Sequence, residues 1–118
     1  MPHQASMAAG ERDRYVTIQQ LTEGTAASGL PTESWSTLTS AWMSKDDVSG
    51  RERFQMNQLS APFDSRWQMH YRPDMDPELV DVPKKRRLVY QNRTHDIVAA
   101  SQINRREGVE LLTLARMG

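Results

Sequence analysis

The sequence predicts a mainly β fold: a small antiparallel β-barrel of about six strands, with at most one short helix and long loops. Three observations carry that expectation. Turn signals recur about every 10 to 20 residues along the chain. Between them, apolar and polar residues alternate with the period of a strand rather than that of a helix. A sheet this size presents exposed edges unless it closes on itself. The 118 residues fit one domain, and a chain of that size buries roughly two-thirds of its unfolded surface. Residues 1–12 read as a flexible arm, being small, polar and aperiodic. Residues 13–118 read as the barrel.

The first strand is expected over Arg14–Leu21, with Val16 and Ile18 on one face and Tyr15, Thr17 and Gln19 on the other. A Gly-, Thr- and Ser-rich loop should follow from Thr22 to Ser34, punctuated by Gly24, Gly29 and Pro31. The second strand runs from Trp35 to about Ser44. Its β-branched and aromatic residues favour a strand, although Leu38 and Trp42 also have helical spacing. Ser49-Gly50-Arg51-Glu52 then has the form of a capping box, ahead of a short helix ending before Pro62. A strand with Phe54 and Met56 on one side fits the same residues.

The clearest strand is Phe63–Arg72, where Phe63, Trp67, Met69 and Tyr71 alternate with polar side chains. A proline-rich loop spans Pro73 to Pro83. Strands over Arg86–Gln91 and Thr94–Ala100 flank Asn92-Arg93, read as a tight hairpin turn. The last strand is Val109–Arg116.

Composition excludes several functions. Without cysteine there is no disulfide framework, thiolate metal site or thiol nucleophile. No apolar run reaches the roughly 20 residues that span a bilayer, and the first residues lack the pattern of a signal peptide. The expectation is a soluble intracellular protein with no membrane association. Fifteen basic residues balance fifteen acidic ones, which argues against DNA binding by bulk electrostatics. A mean hydropathy of −0.72 implies a thin core, or one completed by neighbouring subunits.

Chemistry-bearing constellations are scarce. His3, His70 and His95 are scattered, with no spacing suited to a tetrahedral metal site. His95 reads as a core-edge residue. Asp74, Asp76, Glu78 and Asp81 form the one carboxylate cluster, but Pro77 interrupts it and the central glycine of a calcium loop is missing. It reads as a solvated acidic loop. Lys84-Lys85-Arg86-Arg87 is the only basic run, and in a strand its alternate residues would point to opposite sides. Asn92-Arg93-Thr94 is a chance glycosylation match. Neither a phosphate cradle nor a nucleophile elbow is present. Of the tryptophans, Trp42 and Trp67 read as core anchors, and Trp35, at the loop edge, as the one exposed to a partner. The expectation is no enzyme and no cofactor.

The order of features resembles a known family. An Arg-Tyr-Val-Thr-Ile strand comes first, Arg14 to Ile18; a Gly-containing loop leads from Gly29 to Trp35. Ala41-Trp42, Gly50-Arg51-Glu52 and His70-Tyr71-Arg72 follow in order, then Tyr90, Asp96-Ile97-Val98 and a terminal Glu-Leu-Leu-x-Leu strand. This is similar to the head–tail joining proteins of tailed bacteriophages and gene-transfer agents, also called head-closure or stopper proteins. The resemblance covers about residues 11 to 117. It departs from the family at Met43, where an alanine is usual, and in a longer loop over 73–83.

The resemblance implies a ring of six or twelve copies at the particle neck, assembled in the host bacterial cytoplasm. The portal adaptor protein would lie above it, a tail terminator or tail tube protein below, and packaged double-stranded DNA in its channel. It also implies that the segment from Asp47 to Ala61 projects into the channel, which makes Arg51, Arg53, Gln55 and Asn57 the channel candidates. Interface candidates are Trp35, Phe54, Met56 and the arm, with Lys84 and Lys85 facing Asp74 and Asp76 as complementary charges. Two other readings remain: a single-strand nucleic-acid-binding barrel using the tryptophans and the basic run, and another neck ring protein such as a tail terminator.

Overall fold

Six antiparallel strands form a closed barrel in the order β1-β2-β3-β6-β5-β4. The computed structural model describes residues 13–47 and 63–117, so the arm, the capping box and the helix expected before Pro62 lie outside the described residues. The strands are β1 (Arg14–Thr25), β2 (Pro31–Asp47), β3 (Ser65–His70), β4 (Arg86–Tyr90), β5 (Arg93–Ile103) and β6 (Gly108–Ala115). Closure comes where β4 pairs with β1 over Thr17–Gln20.

Alternation builds the core. Val16 and Ile18 of β1, Trp67 and Met69 of β3, Leu88 of β4, and Val109 and Leu111 of β6 all point inward and are buried. The Trp67 indole fills the middle and donates from Nε1 to Thr113 Oγ1 at 2.8 Å, which satisfies the polar edge of a fully buried ring. The loop between β3 and β4 contributes Met75 and Val82, so it packs onto the core rather than merely connecting strands.

The expected solvated acidic loop is instead partly folded. Pro73–Met75 forms a 3-10 turn, and Val82–Lys85 forms a single helical turn with proline in its first turn. Asp76 is fully buried and pins this loop. It accepts from the Tyr71 hydroxyl at 2.6 Å, from Gln102 Nε2 at 2.8 Å and from the Glu78 amide at 2.9 Å. The Tyr71 hydroxyl, with Gln102 behind it, holds the Asp76 carboxyl below its ordinary pKa.

Two bulges shape the wall. Leu38 is the extra residue of β2 opposite Ile18 and Gln19, and Val98 that of β5 opposite Thr113 and Leu112. Each switches the parity of its strand. Leu38 and Ala41 therefore both pack against the core and Met43 is buried, while Trp42 is turned outward at 56% exposure. This corrects the reading of Trp42 as a core anchor.

Three further expectations are corrected. The loop read over Thr22–Ser34 shrinks to the turn between Thr25 and Pro31, since Gly24 pairs with Thr32 inside the ladder. Ala26 and Leu30 close that turn, and Gly29 takes φ +87°, which only glycine adopts easily. Trp35 consequently lies within β2 rather than at a loop edge. The β4–β5 turn is Gln91-Asn92, one residue earlier than expected; both residues have positive φ, as a type I′ turn requires. Finally, the basic run is split: Lys84 and Lys85 belong to the helical turn, and only Arg86 and Arg87 to a strand.

Candidate docking surfaces

Strand directions give the barrel two poles. At one, Arg14 pairs with Met43, Asp47 with Ser65 and His95 with Ala115, so the described chain ends near Asp13, Asp47, Phe63 and Met117 gather there. At the other lie the β1–β2 turn, the 73–85 loop and the β5–β6 turn. We refer to these as the terminal pole and the hairpin pole.

The hairpin pole carries a projection. Strand β1 pairs with β4 only as far as Gln20, yet it continues with β2 alone through Thr25. Those five residues extend roughly 17 Å at 3.4 Å per residue. Thr22–Thr25 and Pro31–Ser34 are exposed throughout. A two-stranded ribbon with both faces wet gains little from burial.

Two contacts hold its root. The Arg87 guanidinium lies 4.3 Å from the centroid of the Trp35 ring, while Arg87 Nε donates to Gln19 Oε1 at 2.6 Å. Burial lowers the pKa of Arg87, but from a value high enough to leave it charged. Farther along the same face, Lys85 Nζ meets Glu23 Oε1 at 2.7 Å, and this partner holds the Glu23 carboxyl below its ordinary pKa. Glu23 stands directly opposite Glu33, so Lys85 relieves a repulsion across the ladder.

Among the sequence candidates, Trp35 and Lys85 thus both hold the hairpin root, through Arg87 and Glu23 respectively, and the charge of Lys84 also acts on Glu23. Asp74 lies in the neighbouring loop, where Arg72 binds its carboxylate at 3.0 and 2.8 Å and Arg86 Nε donates to its carbonyl oxygen at 3.1 Å. Asp76 is occupied inside the subunit as described. Lys85 reaches Glu23 of the hairpin, a partner that proximity in sequence could not reveal. Arg51, Arg53, Phe54, Gln55, Met56 and Asn57 lie outside the described residues.

The terminal pole is concave. A cleft of about 480 Å³ is lined by Asn92, Arg93, Thr94, Arg116 and Met117. Arg116 binds Asp96 at 2.8 and 2.9 Å, which raises its own pKa. Arg93 Nε donates to the Arg116 carbonyl oxygen at 3.1 Å and, among the described residues, has no carboxylate partner. A smaller cleft of about 150 Å³ is lined by Lys45, Tyr90, Gln91, Arg93 and His95. On the outer wall nearby, Tyr15 and Trp42 form an exposed cross-strand pair with ring centroids 5.0 Å apart. Sequence reasoning missed this pair because Trp42 was placed inside.

No group of His, Asp or Glu suited to a metal ion exists among the described residues. His70 is exposed and His95 is buried against Trp67 at 5.3 Å. Trp35, Trp42 and Trp67 occupy the hairpin root, the outer wall and the core, so they form no common stacking platform. No helix among the described residues is long and apolar enough to cross a membrane.

No curated protein matches the chain significantly. Among solved structures, the solution structure of protein SF1141 from Shigella flexneri 2a superposes with a TM-score of 0.71 at 22% identity, covering 92% of this chain and 96% of that one. At that identity the likeness establishes the fold alone. The family model described as phage head completion protein matches residues 7–116, a span that contains all six strands. With that match over a self-closed β-barrel, the chain belongs to the phage head completion protein family, a structural component of the phage head and neck.

Proposed function

We propose that this protein is a head-closure subunit: a ring at the particle neck that docks beneath the portal–adaptor complex, retains packaged DNA and presents the platform for the tail. The observation that carries the reading is the family match over 7–116 on a barrel whose own strands close it. A barrel closed within one chain keeps open sheet edges only where strands outrun their partners, as β1 does beyond Gln20, so its poles and outer face are what it offers to neighbours. Its projecting hairpin, concave terminal pole and exposed Tyr15–Trp42 pair suit that use.

We assign the segment from Asp47 to Ala61 to the channel, with Arg51, Arg53, Gln55 and Asn57 as the residues that meet DNA. Asp47 pairs with Ser65, so both ends of the segment arise from adjacent strands at one pole. A short glycine-containing turn can therefore replace residues 48–62 without opening the barrel. Particles carrying that replacement should assemble and fill, then release their DNA, as measured by nuclease-sensitive DNA per particle. Normal retention would overturn the channel assignment. Electron microscopy of the same particles tests the ring itself, through density for this chain at the neck.

A further inference from the structure

We propose that the projecting hairpin of one subunit docks into the Arg93–Met117 cleft of the next copy, so that the ring closes by head-to-tail contact between opposite poles. The proposal rests on the ring reading above and deepens it by naming the two surfaces and the residues that meet.

The hairpin has exposed area but little means of stabilising itself. From Leu21 to Trp35 its only ionisable side chains are Glu23 and Glu33. Glu23 is neutralised by Lys85, whereas Glu33, directly opposite, has no cationic partner among the described residues. At the tip, Leu30 is 65% exposed. The ribbon therefore presents one unpaired carboxylate and one large exposed apolar side chain on an otherwise small, mostly polar surface.

The cleft presents the complement. Arg93 is its unpaired cation and Met117, 90% exposed, its apolar side chain. Arg116 is already committed to Asp96, so it shapes the cleft without competing for the incoming carboxylate. Placing Glu33 at Arg93 and Leu30 on Met117 satisfies both surfaces at once. Because β6 runs opposite to β1, hairpin tip and cleft lie at opposite ends of the barrel. Such a contact cannot form within one chain and leaves each copy with one surface still open. That is a heterologous interface, which closes into a ring when its rotation permits.

The cysteine-free chain allows a direct test. Particles are assembled with the double variant Leu30→Cys/Met117→Cys, both positions being exposed, and are mildly oxidised. Docking should give a ladder of disulfide-linked multimers on a denaturing gel, whereas each single variant gives monomers. A disulfide needs Cα atoms within about 7 Å, so chance encounters contribute little. In parallel, Glu33→Lys should reduce incorporation of the protein into particles at least tenfold, and adding Arg93→Glu should restore it. Three results would overturn the proposal: no ladder from particles that show the ring by microscopy, a cross-link from Leu30→Cys to a different neck protein, or no rescue by the charge swap. The first two leave the neck-ring reading standing. Particles without any ring of this chain would remove both.

Discussion

His95 is a neutral imidazole held where a charged one is costly. It is 4% exposed, stacks edge-on against Trp67, and its Nδ1 has no hydrogen-bond partner among the described residues. Burial lowers its pKa from the ordinary value, and Lys45 and Arg93 lower it further, against the opposing pull of Asp64 and Asp96. The unfolded chain therefore takes up this proton first as pH falls. Stability from His95 is intact above about pH 6.5 and is lost as pH falls from there through the lower native value. The urea midpoint should drop between pH 7.5 and 5.5, and His95→Phe should flatten that dependence whatever it does to absolute stability. An unchanged slope in the variant would assign the pH effect elsewhere. Parity alone placed His95 correctly near the core, since it shares a face with Ile97. Parity failed for Trp42, because an extra residue at Leu38 is visible only in the pairing with β1. Asp76 escaped for a similar reason: Gln102, one of its donors, lies 26 residues away.

At the scale of elements, the ends of strands were harder to read than their centres. Trp67 and Met69 in β3, or Val109, Leu111 and Thr113 in β6, alternate because each strand is buried on one face. The outer halves of β1 and β2 have no buried face, so Thr, Ser and Gly there give no periodic signal and resemble a loop. What fixes them as strands is their mutual ladder, steadied at the root by Trp35–Arg87 and Glu23–Lys85. The stacked pair contributes roughly 0.5–2 kcal/mol, whereas the exposed ion pair contributes little. Arg87→Ala should accordingly speed amide exchange across Leu21–Trp35 while the exchange of β3 and β6 stays near the wild-type rate. Lys85→Ala should have a smaller effect of the same kind. Uniform acceleration across the barrel would mean that the hairpin is not a separately opening unit.

For the whole molecule, the shifted carboxylates all move in one direction. Glu23 beside Lys85, Asp47 beside Lys45, Asp74 beside Arg72 and Asp76 beneath the Tyr71 hydroxyl are each held below their ordinary values. Their stabilisation is present above about pH 4 and is lost as pH falls through the native values. A cooperative acid transition should therefore appear below pH 4. Asp76→Asn should flatten it more than Glu23→Gln, because only Asp76 is fully buried. Equal effects would show that burial is not what distinguishes them. The barrel class was legible because closure follows from strand number and alternation, while the poles depend on pairings that no local pattern records. The bulge at Leu38 has one more consequence, for how such a chain can change over generations. A substitution along β2 is felt at one position, but losing the extra residue would reverse the facing of every side chain on one side of it, sending Trp42 inward and Met43 outward, or else would slip the ladder with β1. This wall can drift in composition freely and in length hardly at all, whereas the turn at Ala26–Leu30 can lengthen or shorten without disturbing a single buried residue.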